Sequence, residues 1–317
     1  MKFLRRCMFV LFIAAAAAYG YYTYMVKVKA DVEAPVISVE GNENLELPVA
    51  AEDKDYLEGL RARDNVDGDV TDSLVMVSKS DFVSKGKLKV NFAAFDSSNN
   101  VGTFTRTVTY TDYVSPRFSL SSPLNLGYSK DSQDDLVGVT VNDMLDGDIS
   151  GNIKEISTGS SDEDSEAVTL QVTNSAGDTT SIDVLLHRSK SDLYSLVCPW
   201  LSDYIFYVHP GEPEPDYRSR VKGTWVNGSG QEFITDETGR EEEDDKSRFS
   251  EEDQAFINSL GQSYITSISG NKYYVKFDTS GIDYTTPGTY TGSCTLYSGT
   301  EELGKADFYV VVEENAS

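Results

Sequence analysis

The stretch Arg61–Asp72, RARDNVDGDVTD, determines how the rest of the chain is interpreted, because it holds four aspartates within nine residues. The same D-x-x-D-G-D core returns in Val141–Ser150, VNDMLDGDIS, where it begins at Asp143, 79 residues after Asp64 (143 − 64). A motif that recurs at a regular interval is the signature of a repeated structural unit. The acidic stretch is therefore first an indication of architecture and only second an indication of chemistry.

Two further landmarks recur around this motif in the same order. A proline opens a strand-like segment at Pro35 and again at Pro116, and a polar turn at 96–100 returns at 173–178. Segments such as Lys87–Phe92 alternate polar and apolar residues, which is typical of half-buried β-strands. Because the three landmarks keep their order at offsets of 81, 79 and 77 residues, the sequence predicts tandem copies of one β-unit.

This arrangement resembles the bacterial immunoglobulin-like surface domain that is named after a pesticidal crystal protein, and it is similar to hyalin-type repeats. The matching positions of the first copy lie in the opening strand, the acidic turn and the last hairpin: Pro35, Ile37, Gly41, Ala62, Asp64–Thr71, Phe92, Ala94, Asp96, Ser97, Asn99, Asn100, Gly102, Arg106, Thr107 and Val108. The second copy departs from the pattern, with Met144 in place of asparagine, Thr173 in place of aspartate, and no Arg-Thr-Val ending. The resemblance implies β-sandwiches that usually serve as spacers or adhesive modules on a cell surface.

The third segment lacks the acidic turn but ends in two strand-like patterns, Thr286–Tyr297 and Ala306–Val312. Its residues 236–253 form a strongly acidic run, which we expect to be a solvated loop followed by a short helix that starts near Ser250. The predicted fold class is all-β, with tandem immunoglobulin-like β-sandwiches after an N-terminal transmembrane helix. The predicted domains are a cytoplasmic end and membrane anchor at 1–29, immunoglobulin-like domains at 30–113 and 114–189, and a third domain with an acidic insertion at 190–317.

The N-terminus predicts export. Three basic residues among the first six precede the apolar run Cys7–Val26, and positive charge before about 20 apolar residues keeps that end in the cytoplasm. Cleavage after Ala18 is one alternative, because three successive alanines fit a signal-peptidase site. We favour an uncleaved, single-pass anchor in the cell membrane, because the run continues through tyrosines that suit the membrane interface. With either outcome the bulk of the chain is predicted to be extracellular.

The charge balance disfavours one class of partner. Lys+Arg 27 against Asp+Glu 52 gives a formal net charge of −25, so long-range electrostatics repel nucleic acid phosphates and attract cations. We therefore expect no nucleic acid partner.

The acidic turn admits two interpretations. Closely spaced aspartates around a glycine can wrap a calcium ion, and the candidate ligands are Asp64, Asp67, Asp69 and Asp96. An EF-hand is excluded, because position twelve counted from Asp64 is Val75, where that loop needs a glutamate. The alternative is purely structural: aspartates accept their own backbone N–H groups in turns, while Gly68 and Gly147 supply a positive φ.

No catalytic site is predicted. The two histidines, His187 and His209, have no cysteine or second histidine beside them, so neither a zinc site nor a nucleophilic triad is indicated. A carboxylate pair for glycoside hydrolysis would need a cleft of fixed width, which a repeated turn motif does not provide. Cys198 and Cys294 share the third segment, where they form either a disulfide or two separate buried thiols.

These observations predict a non-catalytic, membrane-anchored extracytoplasmic protein, whose tandem modules serve as a stalk and an adhesive or binding module at the bacterial cell surface. The expected partners are the membrane and a protein or glycan ligand. The alternative is a structural subunit or scaffold of a cell-envelope assembly without a ligand of its own.

Overall fold

The computed structural model describes residues 2–29, 31–127, 136–160, 165–189, 197–226, 229–232, 251–252, 255, 263–268, 271–298 and 301–314. Residue contacts divide the chain into two compact units, Met1–Tyr113 and Val114–Ser317. The predicted immunoglobulin-like domains at 114–189 and 190–317 both lie within the second unit.

The first unit begins with helix α1, Lys2–Lys29. Within this helix Phe3–Met25 is long and apolar enough to cross a membrane, a criterion that a signal sequence near the N-terminus also meets. No part of the span is buried against the protein. Exposed apolar surface of this extent is unfavourable in water.

A β-sandwich of two sheets follows the helix. Its strands are β1 Val36–Val39, β2 Leu45–Leu47, β3 Leu60–Asp64, β4 Gly68–Asp69, β5 Val75–Ser84, β6 Lys87–Phe95 and β7 Val101–Tyr110, and short 3-10 helices occupy Asp55–Leu57 and Thr71–Ser73. One sheet has the order β1–β3–β4 and the other the order β2–β7–β6–β5. Strand β2 pairs in parallel with β7, and the other pairs are antiparallel.

The core of this sandwich is built from the alternation seen in the sequence. Val90, Phe92 and Val108 are fully buried between the sheets, while the residues between them on their strands are more exposed. Arg106 is also buried, and its guanidinium donates to the backbone carbonyls of three loop residues: Asn42 at 2.7 Å, Glu43 at 3.1 Å and Glu58 at 2.6 Å. Burial lowers the pKa of Arg106, and the three acceptors supply the hydrogen bonds that a buried charge requires.

The second unit contains two further sandwiches. The strands of the second module are β8 Arg117–Leu120, β9 Asn125–Gly127, β10 Val139–Asp143, β11 Gly147–Asp148, β12 Lys154–Ser160, β13 Ser165–Thr173 and β14 Thr179–Ser189. Those of the third module are β15 Val197–Leu201, β16 Ile205–Val208, β17 Val221–Val226, β18 Ser229–Glu232, β19 Ser263–Ile268, β20 Asn271–Asp278, β21 Gly288–Ser298 and β22 Glu301–Val312. Their sheets have the orders β8–β10–β11 and β9–β14–β13–β12, then β15–β17–β18 and β16–β22–β21–β20–β19.

The same topology recurs in all three modules. In each one the second strand pairs in parallel with the last strand: β2 with β7, β9 with β14, and β16 with β22. The third module differs by the added edge strand β19. The predicted fold class, β-sandwiches in tandem after an N-terminal apolar helix, is confirmed.

The second and third modules share one hydrophobic core, which runs from Phe118 in β8 to Val312 in β22. Polar contacts also join them. Arg117 Nη2 and Glu313 Oε2 are 2.5 Å apart, and the Leu120 N–H donates to Asp203 Oδ1 at 2.9 Å. The two modules therefore pack as one body.

Part of the predicted acidic insertion falls outside this description. Of the acidic run at 236–253 and the helix expected after it, the structure describes only residues 251, 252 and 255, which are helical.

Candidate metal centre

Four aspartates of the first unit converge where β3 and β6 end. Asp31 follows helix α1, Asp64 is the last residue of β3, Asp67 lies in the turn to β4, and Asp96 follows β6. One carboxylate oxygen from each lies within 4.8 Å of the others. We call this group the acidic corner.

Asp64 is the inner member of the acidic corner, with a relative exposure of 6%. Its Oδ1 accepts the N–H groups of Val66 and Asp67, each at 2.8 Å, and these bonds lower its pKa. Its Oδ2 is buried, and no hydrogen-bond partner reaches it from the described residues. Asp31 repeats this arrangement, because Oδ1 accepts the Glu33 N–H at 3.2 Å while Oδ2 is buried without such a partner among the same residues.

The other two members are held by the hairpin turn after β6. The Asp67 carboxylate accepts the Ser97 N–H at 2.7 Å and the Ser97 hydroxyl at 2.9 Å. Asp96 accepts the Asn100 N–H at 2.7 Å and the Asn100 Nδ2 at 2.6 Å. These bonds fix the carboxylates in place but supply no positive charge, so four like charges remain close together.

The structure brings together three of the four candidate ligands and adds a fourth. Asp69 does not belong to the acidic corner: its Oδ1 accepts the Thr71 N–H at 3.0 Å, and bonds from the Thr71 hydroxyl and N–H lower its pKa. Asp31 takes its place in the cluster. A sequence signal for Asp31 existed, because it precedes Pro35 by four residues, as Asp112 precedes Pro116.

Close backbone packing places Asp31 beside the sandwich. A Cβ built on Gly102 in β7 would lie 1.9 Å from the Pro35 carbonyl oxygen, so only glycine permits this approach. The Asn100 Nδ2 donates to the Asp31 carbonyl at 3.2 Å, and the Asn65 Nδ2 donates to Glu33 Oε2 at 2.7 Å.

The second module contains a corner of the same design. Asp143 Oδ1 accepts the N–H groups of Leu145 at 2.8 Å and Asp146 at 2.9 Å, and Asp146 accepts the Ser175 N–H at 2.6 Å and the Ser175 hydroxyl at 2.7 Å. The glycines predicted to adopt positive φ in the two turns do so, with +79° at Gly68 and +72° at Gly147. Both copies therefore contain the positive-φ glycine and the aspartate-to-backbone hydrogen bonds expected of such a turn.

The two corners differ at one decisive position. The Asn174 N–H donates to the Asp178 carbonyl as the Asp96 N–H donates to the Asn100 carbonyl, which aligns Asn174, and not Thr173, with Asp96. The Asn174 Nδ2 then donates to Asp143 Oδ2 at 3.1 Å. In the second module an amide therefore donates to Asp143 Oδ2, whereas Asp64 Oδ2 in the first module has no such donor among the described residues.

The remaining sequence candidates occupy structural positions. Cys198 and Cys294 are buried free thiols in this structure, so the disulfide considered from the sequence is not formed here. Burial raises the pKa of Cys198 to about 12, which keeps that thiol protonated and unreactive at neutral pH. His187 Nε2 lies 2.6 Å from Asp307 Oδ2, which joins β14 to β22, and His209 Nε2 lies 4.0 Å from Glu313 Oε2.

Comparison with known proteins yields neither a matching family model nor a matching curated protein. Among solved structures, the chain is similar to the CBM51-2 and INT domains of Clostridium perfringens ZmpB, with 20% identity over 47% of this chain and 26% of that chain and a TM-score of 0.20. It is similar to the lipoprotein BT2262 of Bacteroides thetaiotaomicron, with 13% identity over 87% of this chain and 98% of that chain and a TM-score of 0.19. It is also similar to the protocadherin GammaB4 extracellular domain, with 12% identity over 88% of this chain and 49% of that chain and a TM-score of 0.18. No family is assigned to the chain from these similarities.

Proposed function

We propose that this protein is a non-catalytic, membrane-anchored protein of the bacterial cell surface, in which β-sandwiches form a stalk and carry an adhesive or binding module. The observation that carries the proposal is helix α1, whose span Phe3–Met25 is wholly unburied and leads within a few residues into the first sandwich. An apolar helix of this length is accommodated by the hydrocarbon core of a membrane. The sandwiches then lie on the side opposite the basic N-terminus.

The packing of the second unit supports a load-bearing role. A shared core, together with contacts such as Arg117 to Glu313, joins the second and third modules into one body. A large apolar interface of this kind opposes hinge motion between modules. Such a body suits a stalk, because force applied at one module is transmitted to the next through packed side chains.

The third module is the proposed contact with a ligand. Its acidic run at 236–253 contains ten acidic and three basic residues. A concentration of negative charge on one segment favours a protein or glycan partner that carries positive charge, and it disfavours nucleic acid.

The test begins with localisation of the full chain and of a variant without residues 2–29 in a bacterial host. We expect the full chain to stay in the membrane after a high-pH wash, to be degraded by protease added to intact cells, and to become soluble when the helix is removed. The detergent-solubilised full chain is then tested for retention on wall polymers and surface glycans. Retention supports the binding role. A copurifying envelope protein without such retention indicates the structural-subunit alternative, and recovery of the full chain in the cytosol would refute the proposal.

A further inference from the structure

We propose that the acidic corner binds one calcium ion through Asp31, Asp64, Asp67 and Asp96, and that this ion fastens the segment after helix α1 to the first sandwich. The four residues come from three separate parts of the chain: the segment that leaves the helix, the β3–β4 turn and the start of the β6–β7 turn.

The spacing of the oxygens suits one ion of this size. Calcium takes six to eight oxygen ligands at about 2.3–2.6 Å, so two ligands of the same ion are at most about 5 Å apart. The four carboxylate oxygens lie within 4.8 Å of one another, which meets this condition. Carboxylates are hard ligands that can bind in monodentate or bidentate fashion, and waters complete the coordination in many calcium sites.

Two unsatisfied oxygens point to a ligand at this place. Oδ2 of Asp64 and Oδ2 of Asp31 are both buried, and within the described parts of the chain neither accepts a hydrogen bond. A buried carboxylate oxygen without a donor is unfavourable, because it has lost its hydration without replacement. A divalent cation bound by the carboxylates of Asp31 and Asp64 supplies the missing interaction and neutralises part of the clustered negative charge.

The second module shows how the same corner is built without a cation. There the Asn174 amide donates to Asp143 Oδ2, and Asn174 stands in the place of Asp96. The first module replaces this donor with a third carboxylate beside Asp64 and Asp67. The backbone bonds of the two turns correspond, but the Asn100 Nδ2, at the position of Asp178, also donates to Asp96 Oδ2. An aspartate is tolerated at that position when a cation occupies the space that the amide hydrogen fills in the second module.

Asp31 is the residue through which a bound ion would hold the segment after helix α1 against the sandwich. It lies two residues after Lys29, the last residue of α1, and it is the one member of the corner outside the sandwich strands and their connecting turns. An ion that binds Asp31 together with Asp64 ties the chain that leaves the helix to the end of β3. The fastening role rests on the proposed function, since it matters for a domain held at a membrane, whereas ion binding itself does not depend on that function.

Binding is tested by calorimetric titration of calcium chloride into the full chain in detergent micelles, after metal removal with a chelator. We expect one saturable site with a dissociation constant no weaker than about 10⁻³ M, the upper range of extracellular calcium modules. Asp96→Asn, which reproduces the natural residue of the second module, and Asp31→Asn, in the exposed segment, should each weaken binding at least about tenfold, because ligand charge sets affinity. Asp69→Asn, from the same turn, is the matched control and should bind calcium like the unmodified chain.

A titration with magnesium chloride at the same concentration distinguishes specific calcium binding from nonspecific attraction of cations to a chain of net charge −25. Magnesium keeps its waters and demands octahedral geometry, so it should give much weaker binding. The proposal fails if calcium gives no saturable binding, if magnesium binds equally well, or if Asp69→Asn weakens binding as strongly as Asp96→Asn.

A separate measurement tests whether the ion fastens the segment after helix α1 to the sandwich. Calcium should slow amide hydrogen exchange in the segment 31–37 of the unmodified chain and of Asp69→Asn, but not of Asp96→Asn. Saturable calcium binding with unchanged exchange in this segment would refute fastening and leave the ion site standing. Because neither measurement requires a membrane, failure of the anchor in the localisation experiment is distinguishable from failure of the calcium site.

Discussion

The Tyr309 hydroxyl is bonded twice to the main chain of Leu185: it accepts the Leu185 N–H at 2.9 Å and donates to the Leu185 carbonyl at 3.3 Å. Tyr309 belongs to β22 of the third module and Leu185 to β14 of the second. Strand β9 pairs only with His187–Ser189 of β14, so the tyrosine takes the place of a strand partner just before that pairing begins. On the edge strand β8, the Tyr207 hydroxyl likewise accepts the Phe118 N–H at 2.7 Å and donates to the Phe118 carbonyl at 3.2 Å. Module association is therefore part of the hydrogen bonding of the sheets.

Replacement of Tyr309 by phenylalanine should lower the free energy of unfolding of the second unit by about 1–3 kcal/mol, because the ring stays while the main-chain groups of Leu185 lose their partner. Both tryptophans, Trp200 and Trp225, lie in this unit, so tryptophan fluorescence during urea unfolding reports on it alone. Tyr290→Phe is the matched control, since the Tyr290 hydroxyl donates to a nearby carbonyl of its own module, that of Thr286, at 2.9 Å. Equal effects of the two substitutions would contradict a special role for Tyr309.

A second prediction concerns the corner of the second module. Asn174→Asp replaces the donor to Asp143 Oδ2 with a like charge, so the second unit should lose about 1–3 kcal/mol of stability at neutral pH. Tryptophan fluorescence again provides the measurement, and Asp178→Asn, in the same turn, serves as the control. A neutral effect of Asn174→Asp would show that the amide bond does not stabilise this corner.

The three repeated landmarks predicted tandem β-units, the family resemblance implied that these are sandwiches, and three of the four residues of the acidic corner were among the candidate ligands. The order of turns and alternating strands is local information, and Asp64, Asp67 and Asp96 belong to those turns. Asp31 was missed because its position depends on how the segment after the helix packs against β7, which involves residues about 70 positions apart, as in the bond from Asn100 to the Asp31 carbonyl. Such a contact cannot be derived from local sequence alone, in which the aspartate four residues before each opening proline is a clue to position and not to contact.

Two other differences between the sequence analysis and the structure have a different physical origin. Asp69 was included because it is close in sequence. In the β3–β4 pair, however, Gly68 lies across from Asp64 and Asp69 lies across from Arg63, so Asp69 is on the face opposite to Asp64, and its carboxylate accepts the Thr71 N–H instead. Thr173 was aligned with Asp96 from spacing alone, whereas the hydrogen bonds of the turn place Asn174 there. The joining of the second and third modules was also not predicted, because Tyr207 and Tyr309 have the same sequence appearance as tyrosines that only fill a core.

A third prediction concerns Arg106, which donates to the carbonyls of Asn42, Glu43 and Glu58 from a buried position in the first unit. Arg106→Leu should destabilise this unit by roughly 2–4 kcal/mol, because three carbonyls lose charged donors. Hydrogen exchange in β6 and β7 is the measurement, and it should accelerate in the variant. Arg61→Leu provides a matched control, since Arg61 forms an exposed ion pair with Glu40 at 3.1 Å that contributes little. Unchanged exchange in Arg106→Leu would contradict the assigned role.

The last prediction follows from a buried tyrosine pair in the first unit. The hydroxyl groups of Tyr56 and Tyr110 are 2.8 Å apart, and burial, followed by the bond to Tyr56, raises the pKa of Tyr110 from 10.0 to about 12. Lys79, whose Nζ lies 4.0 Å from the centre of the Tyr56 ring, opposes this rise.

Because the folded pKa of Tyr110 exceeds the unfolded value, its contribution to stability is fully present below pH 10 and is lost as the pH rises through about 12. Thermal unfolding of the first unit, followed by far-ultraviolet circular dichroism alongside the fluorescence of the second unit, should show its midpoint falling across this interval. Tyr110→Phe should be less stable at neutral pH, because Tyr56 loses its partner, yet it should lose less further stability between pH 10 and 12. A parallel decline of the variant and the unmodified chain would mean that the ionisation of Tyr110 does not govern the alkaline limit of this sandwich.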